Sequence, residues 1–451
     1  VPPRLPSFVE LNVRSQRAAH ELCVRHTSET DNIHLVPNRA HKFSVNESGN
    51  AQLVSGFVNL RPKLPLRVPV SVAAGLGSFV ILCLRSTQSI GRLPADPGYG
   101  YVSEALDRGV MALWSGDPYY HVAARAVALI VSWFPLASQA IVMTLIVHMV
   151  WSLCSVVIAV TTHRESSQIV VGVVTGLLLA LAPHASESGI GNVGNIKWPM
   201  LAALVVVCAS TKLRYQDLIW ITPLAMITGL TQPLTVLALI PLMIQAVDTR
   251  RVTRTTATLA LLVVGSIALQ LQKVGLNAAT TGQSTKVTRP WGGMGLFWWS
   301  GLTAPIIVAI AVALVWLWLR VRKARQSTFP LTLALMAIAI AVMSYRLGGI
   351  ADRYFIVPMT LATIAALQLT MLLTRLLPRL KVFLLCALGI GVFVPTAKWF
   401  STGWYLTSGP TWQAEIARAR STCETDNPEK VEVNISPSGT VELRCAVILN
   451  D

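Results

Sequence analysis

Charged side chains are scarce in this sequence. Asp, Glu, Lys and Arg make up 13% of the 451 residues, whereas apolar residues make up 53% and the mean hydropathy is +0.57. A soluble protein needs a more polar surface than this, so the composition excludes a soluble fold. Repeated apolar runs of membrane-crossing length predict instead an all-α polytopic membrane protein.

Several common signatures are also absent. The sequence contains no P-loop, no nucleophile elbow and no Cys/His spacing typical of a metal site. The N-terminal segment lacks the basic stretch, apolar run and cleavage site of a secretory signal. Residues 1–62 are polar, contain early prolines and show no sustained periodicity, so we expect a cytosolic, largely disordered extension there.

Acidic residues are few relative to basic ones, 21 against 37, and the net charge is +16. In a soluble protein this charge would suggest a nucleic-acid partner. Here basic residues cluster in short loops between apolar runs, where they orient the chain and meet anionic membrane lipids, and we therefore expect no nucleic acid. The clearest clusters lie at 211–216, 248–254, 320–325 and 375–381.

Cysteine is also infrequent, with seven residues in all. Four lie in or at apolar runs, where they pack as small core residues, and one lies in the N-terminal segment. Cys423 and Cys445 share the hydrophilic tail. A disulfide between them is expected if the tail lies outside the cell membrane and is not expected if the tail is cytosolic.

The apolar runs predict about eleven membrane spans in a domain covering residues 63–398. We place them at about 66–84, 139–160, 169–183, 197–210, 217–230, 232–247, 255–271, 302–319, 328–344, 354–374 and 382–398. The pair around Gln232 is short and is a candidate re-entrant hairpin. Val122–Phe134 is too short to cross a bilayer and is interpreted as an interfacial helix. The loop charges place the N-terminus in the cytoplasm and residues 399–451 outside.

The first outer loop, 85–138, holds four carboxylates and is the main candidate for a reaction site. A carboxylate above the membrane surface can act as a general base toward an acceptor hydroxyl. Asp96 is the preferred base because it comes soonest after the first span and precedes a Pro-Gly turn. Asp117, close to a hydroxyl-binding candidate at His121, is its rival. Either Asp is also typical of a simple turn or helix cap.

A second polar segment lies before the fourth span, at 184–198. Its glycines allow close backbone approach, and its amides, carboxylate and indole are suited to binding sugar hydroxyls. The candidate binding residues here are Glu187, Asn192, Asn195, Lys197 and Trp198. The alternative is a capping turn with an interfacial Trp and Lys.

Cations on the predicted outer side suggest an anionic ligand such as a lipid phosphate. Arg353, beside Tyr354 at the start of the tenth span, and Arg125 in the first loop are the main candidates, together with Lys197. Structural ion pairs with nearby carboxylates are the alternative for each cation, and an interfacial Arg-Tyr anchor is the alternative for Arg353 and Tyr354.

This order of parts resembles the GT-C superfamily of integral membrane glycosyltransferases, in particular poorly characterised bacterial members. The similarity is carried by an Asp in the first outer loop, Glu187, Asn192, the Asn195–Trp198 run and the Arg353–Pro358 run. The resemblance implies polyprenyl-phosphate-linked sugar donors and an inverting transfer with Asp96 as catalytic base. Asp96 has no adjacent second acid, which leaves open both a divalent cation (Mg or Mn) and the choice between Asp96, Asp107 and Asp117.

The tail is predicted to add a small α+β segment, with a helix over 410–420 and a hairpin over 431–449 around Ser436–Gly439. We therefore expect a multi-pass protein of the bacterial cell membrane that transfers a sugar to a cell-envelope glycan, lipid or protein. A lipid-linked-sugar flippase or other transporter is the first alternative, and a glycan polymerase or ligase is the second.

Overall fold

The computed structural model describes residues 67–94, 98–115, 119–185, 189–281, 328–348, 352–376, 379, 381–398, 400, 407–436 and 439–450. All of them belong to one compact unit, Lys63–Asp451. The predictions for residues 1–62 and for a span at 302–319 lie outside the described residues.

The described residues are mostly helical. The α-helices are α1 (Arg67–Arg85), α2 (Gly98–Arg108), α3 (Val122–Val131), α4 (Gln139–Ser166), α5 (Ile169–Ala180), α6 (Lys197–Ala209), α7 (Leu218–Gly229), α8 (Leu239–Thr249), α9 (Arg254–Thr281), α10 (Thr328–Gly348), α11 (Ile356–Leu376), α12 (Lys381–Lys398), α13 (Trp412–Asp426) and α14 (Cys445–Leu449). Short 3-10 helices include Gly109–Trp114 after α2, Val193–Asn195 before α6 and Asp352–Phe355 before α11.

Four helical segments in the described ranges are long and apolar enough to cross a membrane. They are Val68–Arg85, Leu136–Ser166, Arg254–Lys273 and Arg353–Thr374. Five further apolar helices are shorter, at 10–17 residues. A helix rises about 1.5 Å per residue and a bilayer core is about 30 Å thick, so stretches of this length do not cross it by themselves. One of the five, Thr328–Met343, is part of the 21-residue helix α10. The membrane character is thus supported, whereas the count of eleven spans stays a prediction.

The helices nevertheless lie close to where the sequence places the apolar runs. Three of them extend at least four residues past their predicted ends: α4 continues through 161–166, α9 continues past 271 and α10 continues to Gly348. The predicted end of the second span at 160 is therefore wrong. Thr162 explains part of the difference, because its hydroxyl donates to the carbonyl of Ile158 at 2.8 Å and so fits within the helix.

Small residues allow α1, α4 and α5 to pack closely. A Cβ atom on Gly176 would lie 2.8 Å from Cβ of Ala159 and 2.9 Å from Cβ of Ala74. A Cβ atom on Gly172 would lie 2.7 Å from Cβ of His163. Backbones approach this closely only where side chains are small, which is a usual way of joining helices in lipid.

The bundle has two distinct ends, and one of them holds the first loop. At this first-loop end, Arg85 of α1 donates to the carbonyl oxygens of Ala180 at 2.5 Å, Ala182 at 3.1 Å and Phe400 at 2.8 Å. These bonds join the end of α1 to the end of α5 and to the residues after α12.

The opposite end is held by a different set of polar contacts. Arg164 at the end of α4 pairs through both nitrogens with Asp217 at 2.6 and 2.8 Å. The backbone of Arg214 also donates to Asp217, at 2.9 Å. Glu165 accepts hydrogen bonds from Ser210 and the Thr211 backbone, so the end of α6 is fixed there as well.

The predicted hairpin around Gln232 joins these two ends. The start of α7 lies beside Arg164, and Gln245 of α8 donates to the carbonyl of Ser210 at 2.7 Å. The turn between α7 and α8 meets α3, where the backbone of Ala123 donates to Thr231 at 3.0 Å.

The tail contains α13, the antiparallel pair β1 (Lys430–Asn434) and β2 (Thr440–Arg444), and α14. The helix and the hairpin are as predicted, but the second strand ends at Arg444 rather than continuing to 449. Residues 446–449 form an uninterrupted apolar run rather than an alternating one, which explains the change to helix. A disulfide joins Cys423 to Cys445.

The tail packs on the first loop. The backbone of Trp412 donates to Gly91 at 2.9 Å and its indole donates to Leu136 at 2.7 Å. The backbone of Ser436 donates to Leu93 at 2.9 Å. Arg444 also pairs with Asp107 at 3.3 Å. The first loop is thus fixed by backbone contacts on both sides of α2 and α3.

Candidate functional site

Three of the sequence-predicted residues fall outside the described residues. They are Asp96, Asp117 and Glu187. The residues that flank them are described, and these flanks lie at the first-loop end of the bundle. The site is therefore built from the neighbours of the three acids and from the remaining candidates.

Three separate segments meet at this end. Tyr119 of the first loop accepts a hydrogen bond from Lys197 at 3.4 Å. Trp198, next along α6, packs edge-on against Tyr354 with ring centroids 5.3 Å apart. Arg353 lies 5.6 Å from the centroid of the Tyr354 ring. A continuous group of aromatic and cationic side chains therefore joins the first loop, the start of α6 and the start of α11.

The electrostatics of Tyr119 reflect the same proximity. Burial raises the pKa of Tyr119 to about 12, and Tyr354 adds to the increase while Arg353 opposes it. Tyr119 thus keeps its proton at neutral pH and is available as a hydroxyl donor.

The two amides of the second segment are buried and partly used in local structure. Asn192 accepts from the backbone of Gly194 at 2.9 Å, and Asn195 accepts from the Trp198 indole at 3.1 Å. The side-chain nitrogen of Asn192 is buried and has no hydrogen-bond partner among the residues that the structure describes. A buried unpaired donor is costly, so this nitrogen is the atom of the segment best suited to meet a ligand hydroxyl.

Two glycines explain how this segment fits against its neighbours. Gly191 has a φ of +76°, a conformation that other residues rarely adopt. A Cβ atom on Gly189 would lie 2.9 Å from the carbonyl oxygen of Ala185 and 3.0 Å from Ile356 of α11. The sequence predicted that these glycines allow a ligand to approach the backbone closely. At Gly189 the close neighbours are instead residues of the protein, Ala185 and Ile356.

His121 lies immediately before α3, between two tyrosine rings. Its ring centroid is 4.3 Å from that of Tyr119 and 5.5 Å from that of Tyr101. Burial, with smaller contributions from Lys197 and Arg125, lowers the pKa of His121 to about 3. The imidazole is therefore neutral at physiological pH. Its buried Nδ1 has no hydrogen-bond partner within the described ranges, so it can exchange hydrogen bonds without carrying charge.

Arg125 of α3 is almost fully buried and is paired with Glu104 of α2. It also donates to Ser115 and, at 2.8 Å, to the carbonyl of Ala112. Its guanidinium carbon lies 4.9 Å from the centroid of the Tyr101 ring. Arg125 thus forms a structural ion pair, which was the alternative to phosphate binding that the sequence offered for this residue.

The carboxylate of Glu104 responds to this environment. Burial works to raise its pKa, but the hydrogen bonds from Arg125 and Ser115, together with the charges of Arg125 and Arg108, lower the pKa below its usual value. Glu104 is therefore ionised, and its charge balances that of Arg125.

A cleft of about 620 Å³ adjoins this pair. It is lined by Glu104, Arg108, Met111, Trp114, Ser115, Arg125 and Lys273. Sequence reasoning did not select Glu104 or Lys273 as site residues. The spacing of Glu104 and Arg108, four residues apart on one helix, was an available signal, whereas Lys273 lies beyond the predicted end of its span.

No group of three or more His, Cys, Asp or Glu side chains suited to a metal lies within the described ranges. Because Asp96, Asp117 and Glu187 are outside those ranges, the divalent cation left open by the resemblance stays untested.

Comparison with known proteins does not assign this chain to a family. No protein-family model matches the chain, and no curated protein matches it.

Proposed function

We propose that this protein is a membrane glycosyltransferase that moves a sugar from a polyprenyl-phosphate carrier to a cell-envelope glycan, lipid or protein. One observation supports the proposal most: three segments selected from the sequence meet at one end of an apolar helix bundle. The contact of Tyr119 with Lys197 and the packing of Trp198 on Tyr354 establish that meeting. Aromatic rings and amides are suited to binding a sugar, and cations are suited to binding its phosphate.

In this proposal a first-loop carboxylate, Asp96 or its rival Asp117, removes the proton of the acceptor hydroxyl. The hydroxyl oxygen then forms a bond to the anomeric carbon as the bond from that carbon to the carrier phosphate breaks, which inverts the configuration. The electron pair of the broken bond leaves with the phosphate. Arg353, assisted by Lys197, stabilises the departing charge.

The other candidates act on the sugar. The free amide nitrogen of Asn192 is suited to a sugar hydroxyl, and Glu187 lies in the same segment. Asn195 acts through Trp198, because its side-chain oxygen holds the indole in place. Arg125, which is neutralised by Glu104, orders the first loop rather than contacting the phosphate directly.

The test is sugar transfer from a panel of radiolabelled polyprenyl-phosphate sugars by the purified chain in detergent. Asp96→Asn should lower the rate by about 100-fold or more if Asp96 is the base. Asp117→Asn tests its rival, and Asp426→Asn, which changes an exposed acid at the end of α13, is the matched control. Full activity of Asp96→Asn would remove Asp96 from the base role.

A flippase or other transporter of lipid-linked sugars is the second candidate, and one observation favours it. Four polar atoms within α1 and α4 are buried and have no hydrogen-bond partner in the described part of the chain: the Ser78 hydroxyl, His148 Nε2, the Trp151 indole nitrogen and the Ser155 hydroxyl. Polar groups inside apolar helices often mark a path for a polar substrate. Movement of a fluorescent lipid-linked sugar across proteoliposomes, lost in His148→Phe and without any transfer product, would favour the transporter.

A further inference from the structure

The cleft beside the Glu104–Arg125 pair carries an excess of positive charge. Glu104 and Arg125 neutralise each other. Arg108 and Lys273 also line the cleft, and neither forms an ion pair with a carboxylate of the part of the chain that the structure describes. The ammonium group of Lys273 lies 5.7 Å from the centroid of the Tyr120 ring. Among the described lining residues, three cations thus face one carboxylate, Glu104, which leaves an excess of two positive charges.

One side of the same cleft is apolar and open. Met111 is 72% exposed and Trp114 is 53% exposed, although both are residues that normally avoid water. Both belong to the 3-10 helix that follows α2. Trp114 is held edge-on against Tyr120, with ring centroids 6.0 Å apart. A Trp that packs against the protein on one side and is exposed on the other is typical of the boundary between lipid and water.

The size of the cleft is suited to a head group. A volume of about 620 Å³ lies within the usual range of small-molecule sites. Arg binds phosphate oxygens through two parallel N–H groups, whereas Lys supplies a compact charge. Two of the cations selected from the sequence have partners of their own outside the positive excess of this cleft, since Arg125 is paired with Glu104 and Lys197 donates to Tyr119.

We propose that this cleft binds the phosphate group of a membrane lipid, with Arg108 and Lys273 at the phosphate and Met111 and Trp114 along the first carbons of the lipid chain. Tyr119, Lys197 and Trp198 are not among the described residues that line this cleft, and the proposed lipid binding does not depend on sugar transfer. The ligand chemistry is a phosphate joined to a long apolar chain. Its source is either a polyprenyl phosphate or an anionic glycerophospholipid.

The experiment is a native mass-spectrometry titration of the full chain in neutral detergent. The ligands are a polyprenyl monophosphate, dioleoyl phosphatidate, dioleoylglycerol as the uncharged lipid, and inorganic phosphate. We expect both phosphorylated lipids to bind more tightly than dioleoylglycerol. A clear preference for the polyprenyl phosphate would assign the cleft to that carrier, whereas equal affinity would assign it to anionic lipids in general; both results support the site.

Variants identify the location of binding. Arg108→Gln combined with Lys273→Gln should weaken binding of the phosphorylated lipids by at least about tenfold, because two charge-assisted contacts are lost. The control, Arg251→Gln with Arg254→Gln, removes two exposed cations from the far end of the bundle and should leave the affinity unchanged. Trp114→Ala should lower the affinity for the phosphorylated lipids and leave the affinity for inorganic phosphate unchanged. Size-exclusion profiles and unfolding temperatures of all variants establish that they are folded.

Two results would overturn the proposal. If the Arg108 and Lys273 double variant binds the lipids as tightly as the control variant does, the lipid binds at another site. Inorganic phosphate bound as tightly as the phosphorylated lipids, with no effect of Trp114→Ala, would make the cleft a site for the free ion instead of a lipid.

Discussion

At the level of single residues, His121 illustrates how the fold sets the chemistry of a side chain. The sequence places His121 in the first loop as a candidate contact for a hydroxyl. The structure places it between Tyr101 and Tyr119, near Lys197 and Arg125, and these surroundings disfavour the charged imidazolium. No pattern in the sequence indicates that Lys197 lies nearby, since it follows 76 residues later in a different helix.

The pH dependence of stability tests this placement. The pKa of His121 is about 3 in the folded protein, whereas histidine in an unfolded chain titrates near about pH 6.5. The stabilising contribution is therefore complete above about pH 6.5 and declines as the pH falls toward 3, because the unfolded chain takes up the proton first. Between about pH 7.5 and about pH 5.5, we expect wild type to lose about 1 kcal/mol more unfolding free energy than His121→Gln.

The measurement is denaturant unfolding of the detergent-purified protein at the two pH values. Tyr101, Tyr119, Lys197 and Arg125 face His121 and are the same residues in both proteins, so the comparison isolates the contribution of the imidazole. Identical pH slopes for wild type and His121→Gln would contradict the buried, neutral imidazole.

At the level of secondary-structure elements, the tail shows what one covalent bond contributes. α13 and α14 are joined by the Cys423–Cys445 disulfide, which encloses the β1–β2 hairpin over a separation of 22 residues. Glu415 reinforces the same unit, because it accepts hydrogen bonds from Arg418 and from the backbone of Asn434 at 3.0 Å. A unit of this size has little core of its own and benefits from such constraints.

Removal of the disulfide should therefore loosen the tail locally. A loop of this length contributes about 3 kcal/mol through the entropy of the unfolded chain. We expect Cys423→Ala with Cys445→Ala to increase hydrogen exchange of β1 and β2 strongly while α4 stays protected. Cys386→Ala, which removes an exposed free cysteine, is the control. Unchanged exchange in the hairpin would show that the packing of Trp412 suffices.

Elements of the bundle were largely predictable from the sequence, whereas the contacts between them were not. The first span was predicted at 66–84 and α1 covers Arg67–Arg85, because an apolar run flanked by basic residues defines both ends. The pairing of Glu104 with Arg125 depends instead on the turn through Gly109–Trp114. Likewise, the sequence does not reveal that the Trp198 indole donates a hydrogen bond to the side-chain oxygen of Asn195.

At the level of the whole molecule, the two ends of the bundle predict sidedness. The tail, the first loop and the starts of α6 and α11 lie together, whereas the ends of α4, α6 and α8 lie at the other end. The topology predicted from the basic loops would place these two groups on opposite faces of a membrane. In a membrane, the two groups should therefore be reached from opposite sides.

Accessibility of single cysteines measures this directly. In a background whose unpaired cysteines are replaced by Ala, Thr440→Cys should react with an impermeant maleimide on intact cells. Arg251→Cys should react only after permeabilisation. Both original side chains are exposed, so neither change is expected to alter stability by more than about 0.5 kcal/mol. Labelling of both positions from the same side would contradict the predicted topology.

The docking of the tail on the first loop has a consequence for biosynthesis. Arg92 bonds to the carbonyl of Gly409, which lies 317 residues later in the chain. At about 5–20 residues per second, a ribosome needs roughly a quarter of a minute to a minute to cover that distance. During this interval the backbone groups at Gly91 and Leu93 have been made but their partners have not. During synthesis, chaperones and proteases therefore encounter this protein while the first loop still lacks its contacts with the tail. A premature stop codon before the tail would remove those contacts permanently.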